Sequence, residues 1–411
     1  MNSKFCIDLK EYFNQETFHV LEKVADCAIN SGFKVYLVGG IVRDILLKRP
    51  SLDIDILIEG DALDFVEFLK NNCTNIEVLK IQEDLHTAKV IFDNKTEIDF
   101  ASTRTEIYPQ KGFLPVIEEI GVPIEEDCKR RDFTVNTLLI ALHDLHNAQI
   151  TDLTGGLSDL REKTLRILHD KSFIDDPSRI LRYLKFAVRF GFSADKHTES
   201  LLNEYLNNPN EQFPLSRLKS EFIQTFNLNI PKAAKLFVEQ KMYKLFADKL
   251  NCKGDFAHLS ELVSKHIPNS EYIWLVWFIS VFGAEDLPEM NFDTKEKNII
   301  SGVQQLFEST SDMVLYKLIP KLDTESVVAY SFISGSEKIF AALEKLKKVN
   351  VFITGDDLIK LGFEPSAEFK TILEKVLAEK LSHNLITKED ELEFVQNSFR
   401  HAIQKNNAPK G

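Results

Sequence analysis

The sequence contains few of the residues that form cross-links and turns. Its 411 residues include five cysteines, which are scattered and never form a Cys-x-x-Cys pair. An odd number without such a pair argues against a disulfide framework and a structural zinc site, and it is typical of a reducing cytosol. Sixteen glycines and 13 prolines are also few for this length. Because turns are scarce, we expect long helices.

Targeting segments and an excess of positive charge are missing as well. The N-terminus has no apolar core of signal-peptide length. The longest apolar run, residues 272–284, is shorter than the roughly 20 residues of a membrane span and predicts a buried helix. A net charge of −13 excludes global basic attraction to nucleic acid, although local basic stripes stay possible. These absences predict a cytoplasmic protein without a membrane partner.

Hydrophobic patterning divides the chain into a mixed first third and a helical remainder. Helical spacing covers residues 16–31 and 62–70. Apolar or alternating runs predict strands at residues 35–38, 52–58, 76–81, 89–92 and 97–100, with a hairpin turn at 93–95. After residue 157 the strand patterns fade, and helical periodicity continues at residues 177–191, 196–207, 215–226 and most of 231–408. The predicted fold class is an α/β head followed by an all-helical remainder.

Two acidic residues alternate with apolar ones in the predicted strand 52–58. Side chains on a strand alternate between its faces, so Asp53 and Asp55 share one face. Backbone spacing places the two carboxylates about 6–7 Å apart, where they can converge on a hard divalent cation. Asp99, in the similarly alternating segment 96–100, offers a third carboxylate if the strands pair. The alternative is an edge strand whose acids face water.

A pair of glycines precedes this strand. Gly39 and Gly40 stand before a short predicted helix that carries Arg43. A helix N-terminus presents unpaired N–H groups to an anion, glycine allows close backbone approach, and arginine adds a charge-assisted contact. No Walker loop and no Gly-x-Gly-x-x-Gly motif occurs. A plain strand-turn-helix connection is the alternative, but the neighbouring carboxylates favour phosphoryl or nucleotidyl transfer.

Two segments in this region resemble a known family. The segment GGIVRD at residues 39–44, followed by LDID at residues 52–55, resembles the first signature of the tRNA nucleotidyltransferases. These are the CCA-adding enzymes of the bacterial and eukaryotic class, and bacterial poly(A) polymerases share the signature. The segment CKRRDFTVNT at residues 128–137 resembles the family's Arg-Arg-Asp-Phe-Thr-x-Asn-Ala block and departs from it at Thr137.

Three further segments extend the resemblance. Residues 175–182 and 189–192 resemble the family's nucleotide-selecting block, with Asp175 where many members have glutamate. Residues 104–108 resemble the start of the mobile loop between the first two blocks. Residues 354–362 resemble an element of the tail. In the rest of the helical region, the chain resembles the family mainly in being helical rather than in particular sequence motifs.

The resemblance implies three parts and one reaction. A head like the nucleotidyltransferase fold of DNA polymerase beta is expected over residues 1–155, a nucleotide-selecting neck over 156–230, and a tRNA-binding body and tail over 231–411. The implied reaction joins C and A from CTP and ATP to the 3′ CCA end of tRNA without a template, with Mg²⁺ as cofactor and pyrophosphate as product. The tRNA acceptor end is the implied partner, and no protein partner is implied.

The same blocks imply roles for individual residues. Asp53 and Asp55 are expected to bind Mg²⁺ and to act in catalysis with Asp99 as a third acid. The residues expected to bind the nucleotide are Gly39, Gly40, Arg43, Arg131, Asp132, Asn136, Asp175, Asp176, Arg179 and Arg182. Those expected to bind RNA are Arg104, Lys185 and Arg189. The arginines and lysine of residues 179–189 recur at helical spacing as one basic stripe, for which a solvated helix face is the alternative.

The selecting block has a chemical logic of its own. A carboxylate accepts a hydrogen bond from an exocyclic amine, and arginine donates to ring acceptors. Cytosine and adenine both offer that amine beside an acceptor, whereas uracil and guanine present the opposite pattern on the same edge. Asp175, Asp176 and Arg179 could therefore choose C and A. Capping of the following helix is the alternative role of Asp176, and the two roles are compatible.

Several activities stay open beside full CCA synthesis. The nearest alternative is an enzyme that adds only the terminal A or only CC, and the loop at residues 104–108 disfavours the CC-only form. A poly(A) polymerase would have to hold generic RNA ends, which the acidic total and the lack of a long basic C-terminal extension disfavour. A catalytically silent RNA-binding module has no use for the pair Asp53 and Asp55.

Overall fold

The computed structural model describes residues 6–50, 53–93, 95–209, 213–250, 255–309 and 311–399. Two compact units divide the chain between Phe246 and Ala247. Within the described residues, the first unit contains the strands together with ten α-helices, and the second unit is helical. The finer division expected at residues 155/156 and 230/231 stays a prediction.

The strands of the first unit form one large sheet and two small ones. They are β1 (Cys6–Ile7), β2 (Lys34–Val38), β3 (Ile54–Glu59), β4 (Ile76–Gln82), β5 (Thr87–Phe92), β6 (Thr96–Ser102), β7 (Arg104–Ile107), β8 (Val116–Ile120), β9 (Leu139–Ala141), β10 (Ala148–Thr151), β11 (Thr164–Leu165) and β12 (Ser193–Ala194). The large sheet has the order β1-β10-β9-β2-β3-β6-β5-β4. Its β3 and β6 are parallel, and its other neighbours are antiparallel. A mixed α/β head is thereby confirmed.

The first unit contains ten α-helices within the described residues, and α1 shows how local sequence sets their ends. They are α1 (Gln15–Ser31), α2 (Gly40–Leu46), α3 (Ala62–Asn72), α4 (Ile124–Lys129), α5 (Gly156–Glu162), α6 (Ser172–Asp175), α7 (Ser178–Phe190), α8 (Lys196–Asn207), α9 (Ser216–Leu228) and α10 (Ile230–Glu239). The Asn14 side chain accepts a hydrogen bond from the backbone N–H of Thr17 at 2.8 Å, which caps α1. The helix ends at Gly32, whose φ of 78° is left-handed.

The strand predicted to carry the acidic pair begins two residues later and ends one residue later than predicted. β3 begins at Ile54, so Asp53 directly precedes the strand, and Leu52 and Asn94 lie outside the described residues. The three isoleucines of β3 are at most 5% exposed. On the opposite face Leu57 packs with Ile124 and Cys128 of α4. Because that packing begins only at Leu57, Asp55 stays at the uncovered end of the same face.

The second unit contains nine α-helices within its described residues. They are α11 (Phe256–His266), α12 (Ile273–Phe282), α13 (Thr294–Glu308), α14 (Asp312–Leu318), α15 (Thr324–Ser334), α16 (Lys338–Lys347), α17 (Gly355–Lys360), α18 (Glu368–Leu381) and α19 (Lys388–Ser398). α12 is the predicted apolar helix, and Trp274 and Trp277 on it are at most 2% exposed, so it is a core element. None of the helices in the described part of the chain is both long and apolar enough to cross a membrane.

Candidate active site

One cleft of about 1170 Å³ lies in the first unit and gathers most of the predicted site residues. Its walls come from the β2–α2 turn, the start of β3, the segment after α4, and helices α7 and α9. The predicted residues that line it are Gly39, Gly40, Arg43, Asp53, Asp55, Arg104, Arg131, Asp132, Asn136, Asp176, Arg179, Arg182, Lys185 and Arg189. Asp99 and Asp175 were predicted with them but do not line the cleft.

The acidic pair opens into this cleft. Burial raises the pKa of Asp55 to about 6, and the nearby charges of Asp99 and Asp53 add to the shift. A carboxylate held near others of the same charge is stabilised when a cation binds between them. The strand order also answers the alternative of an edge strand. That alternative is wrong, because β3 lies inside the sheet between β2 and β6.

The third predicted acid has a partner of its own. The parallel pairing of β3 and β6 places Asp99 directly beside Asp55, as the sequence pattern required. However, the Lys89 ammonium on β5 donates to Oδ2 of Asp99 at 2.7 Å and lies 3.6 Å from a carboxylate oxygen of Glu97. The catalytic role of Asp99 stays a prediction.

The donor set at the cleft fits a cation that is shared with a substrate. Across the described residues, no group of three or more His, Cys, Asp or Glu side chains is placed to hold a metal ion. Mg²⁺ in phosphate-transferring proteins is usually bound by one or two carboxylates together with substrate phosphates rather than by an all-protein cage. The raised pKa of Asp55 beside Asp53 matches that arrangement.

The β2–α2 turn brings backbone close to the carboxylates. Gly39 has φ 74° and ψ −127°, a conformation that L side chains rarely adopt, and α2 starts directly after it. Arg43 on α2 is only 4% exposed. Its Nη1 donates to Oδ1 of Asn136 at 2.7 Å, and its Nη2 lies 2.9 Å from Oδ1 of Asp44. Arg43 thus ties the turn to the block at residues 128–137.

That second block is organised around Asp132. Its Oδ1 accepts from Nδ2 of Asn136 at 2.9 Å, and its Oδ2 accepts from Nε of Arg182 at 2.8 Å. Burial alone would raise the pKa of Asp132, but the charge of Arg182 and the hydrogen bonds hold it at about 2. The neighbouring Arg131 is bound through Nη2 to Asp127 at 2.7 Å. Both arginines are therefore fixed in the wall of the cleft.

The nucleotide-selecting block places two of its three residues on the cleft. Oδ1 of Asp176 accepts from the hydroxyl of Ser178 at 2.7 Å and from the backbone N–H of Ser178 at 3.1 Å. Asp176 therefore bonds the first residue of α7, although the cap position of that helix is Pro177, and its side chain lines the cleft as well. Arg179 is 4% exposed and also faces the cleft. Asp175 instead binds Lys111 at 2.6 Å outside it.

The basic stripe of α7 is paired with acidic side chains and stays partly exposed to solvent. Nη1 of Arg182 and Nζ of Lys185 lie 3.3 Å and 2.6 Å from the carboxylate of Glu221 on α9. Arg189 lies 3.1 Å from Asp44. Burial lowers the pKa of Lys185, and the charge of Glu221 opposes that shift. All three side chains line the cleft, and their roles in binding stay predictions.

The loop that joins β7 to β8 is attached to the selecting block. The backbone N–H of Gly112 donates to the Asp175 carbonyl at 3.1 Å. Arg217 on α9 bridges the two parts, since its Nη1 donates to the Gly112 carbonyl at 2.5 Å and its Nη2 to Asp176 at 3.2 Å. Arg104, at the start of β7, lines the cleft and pairs with Glu106 at 2.7 Å.

Sequence reasoning missed the contribution of α9. Arg217, Glu221 and Gln224 line the cleft from one face of that helix. Their spacing of four and three residues is a helical stripe of polar side chains, a signal that a search for polar rather than apolar periodicity detects. Lys89 was missed as well, because its position opposite Asp99 depends on strand register.

Comparison with known proteins agrees with this arrangement. A sequence model of the Poly A polymerase head domain matches residues 35–166. The chain is 30% identical over 426 aligned residues to the A-adding tRNA nucleotidyltransferase of Halalkalibacterium halodurans, with 97% of each chain covered. A CCA-adding enzyme solved with CTP has a TM-score of 0.72 at 25% identity, covering 97% of this chain and all of that one. The Thermotoga maritima CCA-adding enzyme complexed with tRNA has a TM-score of 0.67 at 26% identity, covering 95% and 97%.

Proposed function

The chain belongs to the tRNA nucleotidyltransferase family, and we propose that it completes the 3′ CCA end of tRNA, adding CMP and AMP from CTP and ATP and releasing pyrophosphate. One observation carries the proposal. The carboxylates of Asp53 and Asp55 and the selecting residues Asp176 and Arg179 line the same cleft. A nucleotide there can contact catalytic and selecting groups at once.

The first part of the proposed mechanism concerns the triphosphate. Asp53 and Asp55 would hold a divalent cation, with Mg²⁺ the expected ion, and Asp55 would give up the proton that its raised pKa favours. When bound, such a cation lowers the negative charge on the attacking and leaving oxygens. Gly39, Arg43 and Arg131 line the cleft beside the carboxylates and supply backbone and guanidinium donors for phosphate oxygens.

The second part concerns the choice of base. Asp176 offers a carboxylate oxygen to the exocyclic amine of cytosine or adenine, and Arg179, whose Nη1 and Nη2 are already bonded within the protein, offers its Nε–H to the adjacent ring acceptor. Several hydrogen bonds hold both side chains before a nucleotide binds. The entropy cost of fixing these side chains on binding is therefore small. This supports selection by the protein itself without a template.

The third part concerns the RNA end. Arg104, Lys185 and Arg189 line the cleft and are candidates for contact with the acceptor-end phosphates. Local positive charge of this kind is required, because the chain as a whole carries a net charge of −13. The contacts of the second unit with tRNA, and a cytoplasmic location, belong to the same proposal.

A second candidate is addition of the terminal A alone. One observation favours it: the Halalkalibacterium halodurans relative, matched over 97% of each chain, is named an A-adding enzyme. An A-adding enzyme would accept tRNA that already ends in CC and would leave shorter ends untouched. The two candidates share the cleft chemistry and differ in the ends they accept and in whether CTP is used beside ATP.

One incorporation experiment separates these activities. The full chain is incubated with MgCl₂ and three tRNA transcripts, which end before CC, after CC, and after the complete CCA, with CTP, ATP or both. Full CCA synthesis predicts extension of the first two transcripts and no extension of the third. Extension of the CC-ended transcript alone supports A addition, and repeated AMP addition to the complete end supports a poly(A) polymerase. No incorporation on any transcript overturns the enzymatic proposal.

A further inference from the structure

The guanidinium of Arg179 is held by four partners within the protein. Its Nη1 donates to the hydroxyl of Ser172 at 2.7 Å and contacts Nε2 of His169 at 3.4 Å. Its Nη2 donates to the Arg130 carbonyl at 2.7 Å and lies 3.4 Å from the hydroxyl of Tyr108. These four acceptors come from three different segments, so the orientation of this group depends on the tertiary structure.

His169 is the titratable member of this set. It lies between β11 and α6, its side chain is 35% exposed, and it is not among the residues that line the cleft. Its Nδ1 is 4.0 Å from Oδ2 of Asp175, which in turn binds Lys111 at 2.6 Å. The charged groups around the ring are Arg179 and Lys111, which oppose its protonation, and Asp175 and Asp170, which favour it.

The contact with Arg179 dictates the protonation state of the ring. Arginine only donates hydrogen bonds, so Nε2 of His169 has to be an acceptor, and its proton has to sit on Nδ1, the atom that faces Asp175. Burial, followed by the charge of Arg179, lowers the pKa of His169 and so favours this neutral form. A protonated ring would direct an N–H group at a guanidinium N–H group.

We propose that His169 is a positioning residue for nucleotide selection, whose neutral ring fixes the guanidinium of Arg179 in the orientation that faces the cleft. The inference rests on the proposed function, because it requires Arg179 to contact the incoming base. His169 itself does not touch the nucleotide. Its removal should therefore impair the choice between nucleotides more than the rate of transfer.

The test compares His169→Leu, His169→Gln and wild type in the full chain with MgCl₂. The quantity measured is the ratio of kcat/KM for ATP to kcat/KM for UTP or GTP on a tRNA transcript that ends in CC. We expect His169→Leu to lower this ratio about tenfold, the effect of losing one hydrogen bond to a charged group. Gln keeps an acceptor oxygen, so His169→Gln should stay within about threefold of wild type. His146→Leu is the matched control, since His146 is an exposed histidine that pairs with Asp8 and does not line the cleft.

Measuring the same ratio of kcat/KM values at several pH values adds a second test. If His169 only supported the fold, its protonation would not change this ratio. In wild type the ratio should fall as the pH decreases and His169 takes up a proton, whereas in His169→Gln it should not change over the same range. The ratio divides kcat/KM for ATP by kcat/KM for UTP or GTP. Protonation of a group that affects both reactions equally therefore cancels from the ratio. A flat wild-type profile, or a profile shared by His169→Gln, overturns the proposal.

Arg179→Lys distinguishes the failure of this inference from the failure of the proposed function. Lys keeps the charge but cannot make the forked contact. If Arg179→Lys lowers the ratio and His169→Leu does not, the role of His169 is overturned while selection by Arg179 stands. If neither lowers it, Arg179 does not select the base, and that part of the proposed function falls. Thermal melting of each variant identifies a loss that comes from unfolding.

Discussion

Asp55 and Asp99 lie side by side on the parallel strands β3 and β6, yet only Asp55 lines the cleft. The difference comes from the next strand, where Lys89 stands opposite Asp99 and binds its carboxylate at 2.7 Å. Within the described residues Asp55 forms no ion pair; the charges of Arg131 and Lys89 lower its pKa, but burial and the neighbouring acids outweigh them and raise it to about 6. The two adjacent strands thus carry two different acids: the charge of Asp99 is neutralised by an ion pair with Lys89, and that of Asp55 is not.

Asp53 and Asp55, the two acids that line the cleft, should be indispensable for activity. We expect Asp53→Asn and Asp55→Asn each to lower AMP incorporation on the order of 10³-fold or more, because each removes an anionic cation ligand while keeping the shape of the side chain. Incorporation of labelled ATP into a CC-ended transcript measures the effect. Asp64→Asn is the control, since Asp64 is exposed on α3 and does not line the cleft. Activity within tenfold of wild type in both variants would falsify the assignment.

The same residue should set a pH dependence of stability. The pKa of Asp55 in the folded state is about 6, above its ordinary value of 3.8, so its contribution to stability is fully present below pH 4 and is lost as the pH rises through 6. Without divalent cations, Asp55→Asn should be more stable than wild type by about 2 kcal/mol at pH 8. This difference should vanish near pH 4.

Chemical denaturation in EDTA at several pH values measures that difference. Subtracting the variant from wild type removes the contributions of His169 and of other groups that titrate in the same range. Added Mg²⁺ should also close the gap at pH 8, because a bound cation stabilises the ionised carboxylate. A gap that is equal at pH 4 and pH 8 would contradict the burial of this charge.

Asp132 should behave in the opposite way. Its pKa is lowered to about 2, so its contribution is present above the ordinary value of 3.8 and is lost as the pH falls toward 2. Asp132→Asn leaves Arg182 with Glu221 as its remaining carboxylate partner. We expect a loss of about 3 kcal/mol in the free energy of unfolding at pH 7. Glu126→Gln, which breaks the exposed pair with Lys129, should cost less than about 1 kcal/mol. Equal losses in the two variants would disprove this ranking.

Asp176 should matter more for the choice of nucleotide than for folding. Asp176→Ala removes the bonds to Ser178 and Arg217, and the loss of such a helix-start contact costs about 1 kcal/mol. The preference for ATP and CTP over UTP and GTP should fall by about tenfold or more, because the acceptor for the exocyclic amine is gone. Incorporation ratios and melting temperatures give the two readouts.

Asp195→Ala provides the comparison for that prediction. Asp195 caps α8 through the backbone N–H of Thr198 at 3.1 Å and does not line the cleft. Its loss should lower stability by a similar amount and leave the incorporation ratios unchanged. If both variants shift the ratios equally, the change in Asp176→Ala reports destabilisation rather than selection.

Residues close in sequence were sufficient to anticipate several parts of the molecule. The helical spacing of residues 16–31 corresponds to α1, and the apolar run 35–38 lies within β2. The alternation around Asp55 correctly places its side chain opposite the three isoleucines of β3. Shorter strands such as β9 and β10 were not anticipated, because three or four residues carry too little periodicity to stand out.

Motif spacing anticipated which residues share the cleft but not how they are bonded. Asp132 and Arg182 are 50 residues apart and meet in an ion pair that no local pattern encodes. The pairing of Lys89 with Asp99 similarly depends on strand register, and the bridge from Arg217 to Asp176 depends on helix packing.

Local chemistry and residue order therefore account for the fold class, the acidic pair and the family to which the chain belongs, since each is written in contiguous segments. Three-dimensional packing alone decided which charges are compensated. Asp99 forms an ion pair with Lys89, Asp132 forms one with Arg182, and Asp55 lines the cleft. The physical reason is that burial and long-range ion pairing set the energy of a charge, and neither quantity exists before the chain has folded.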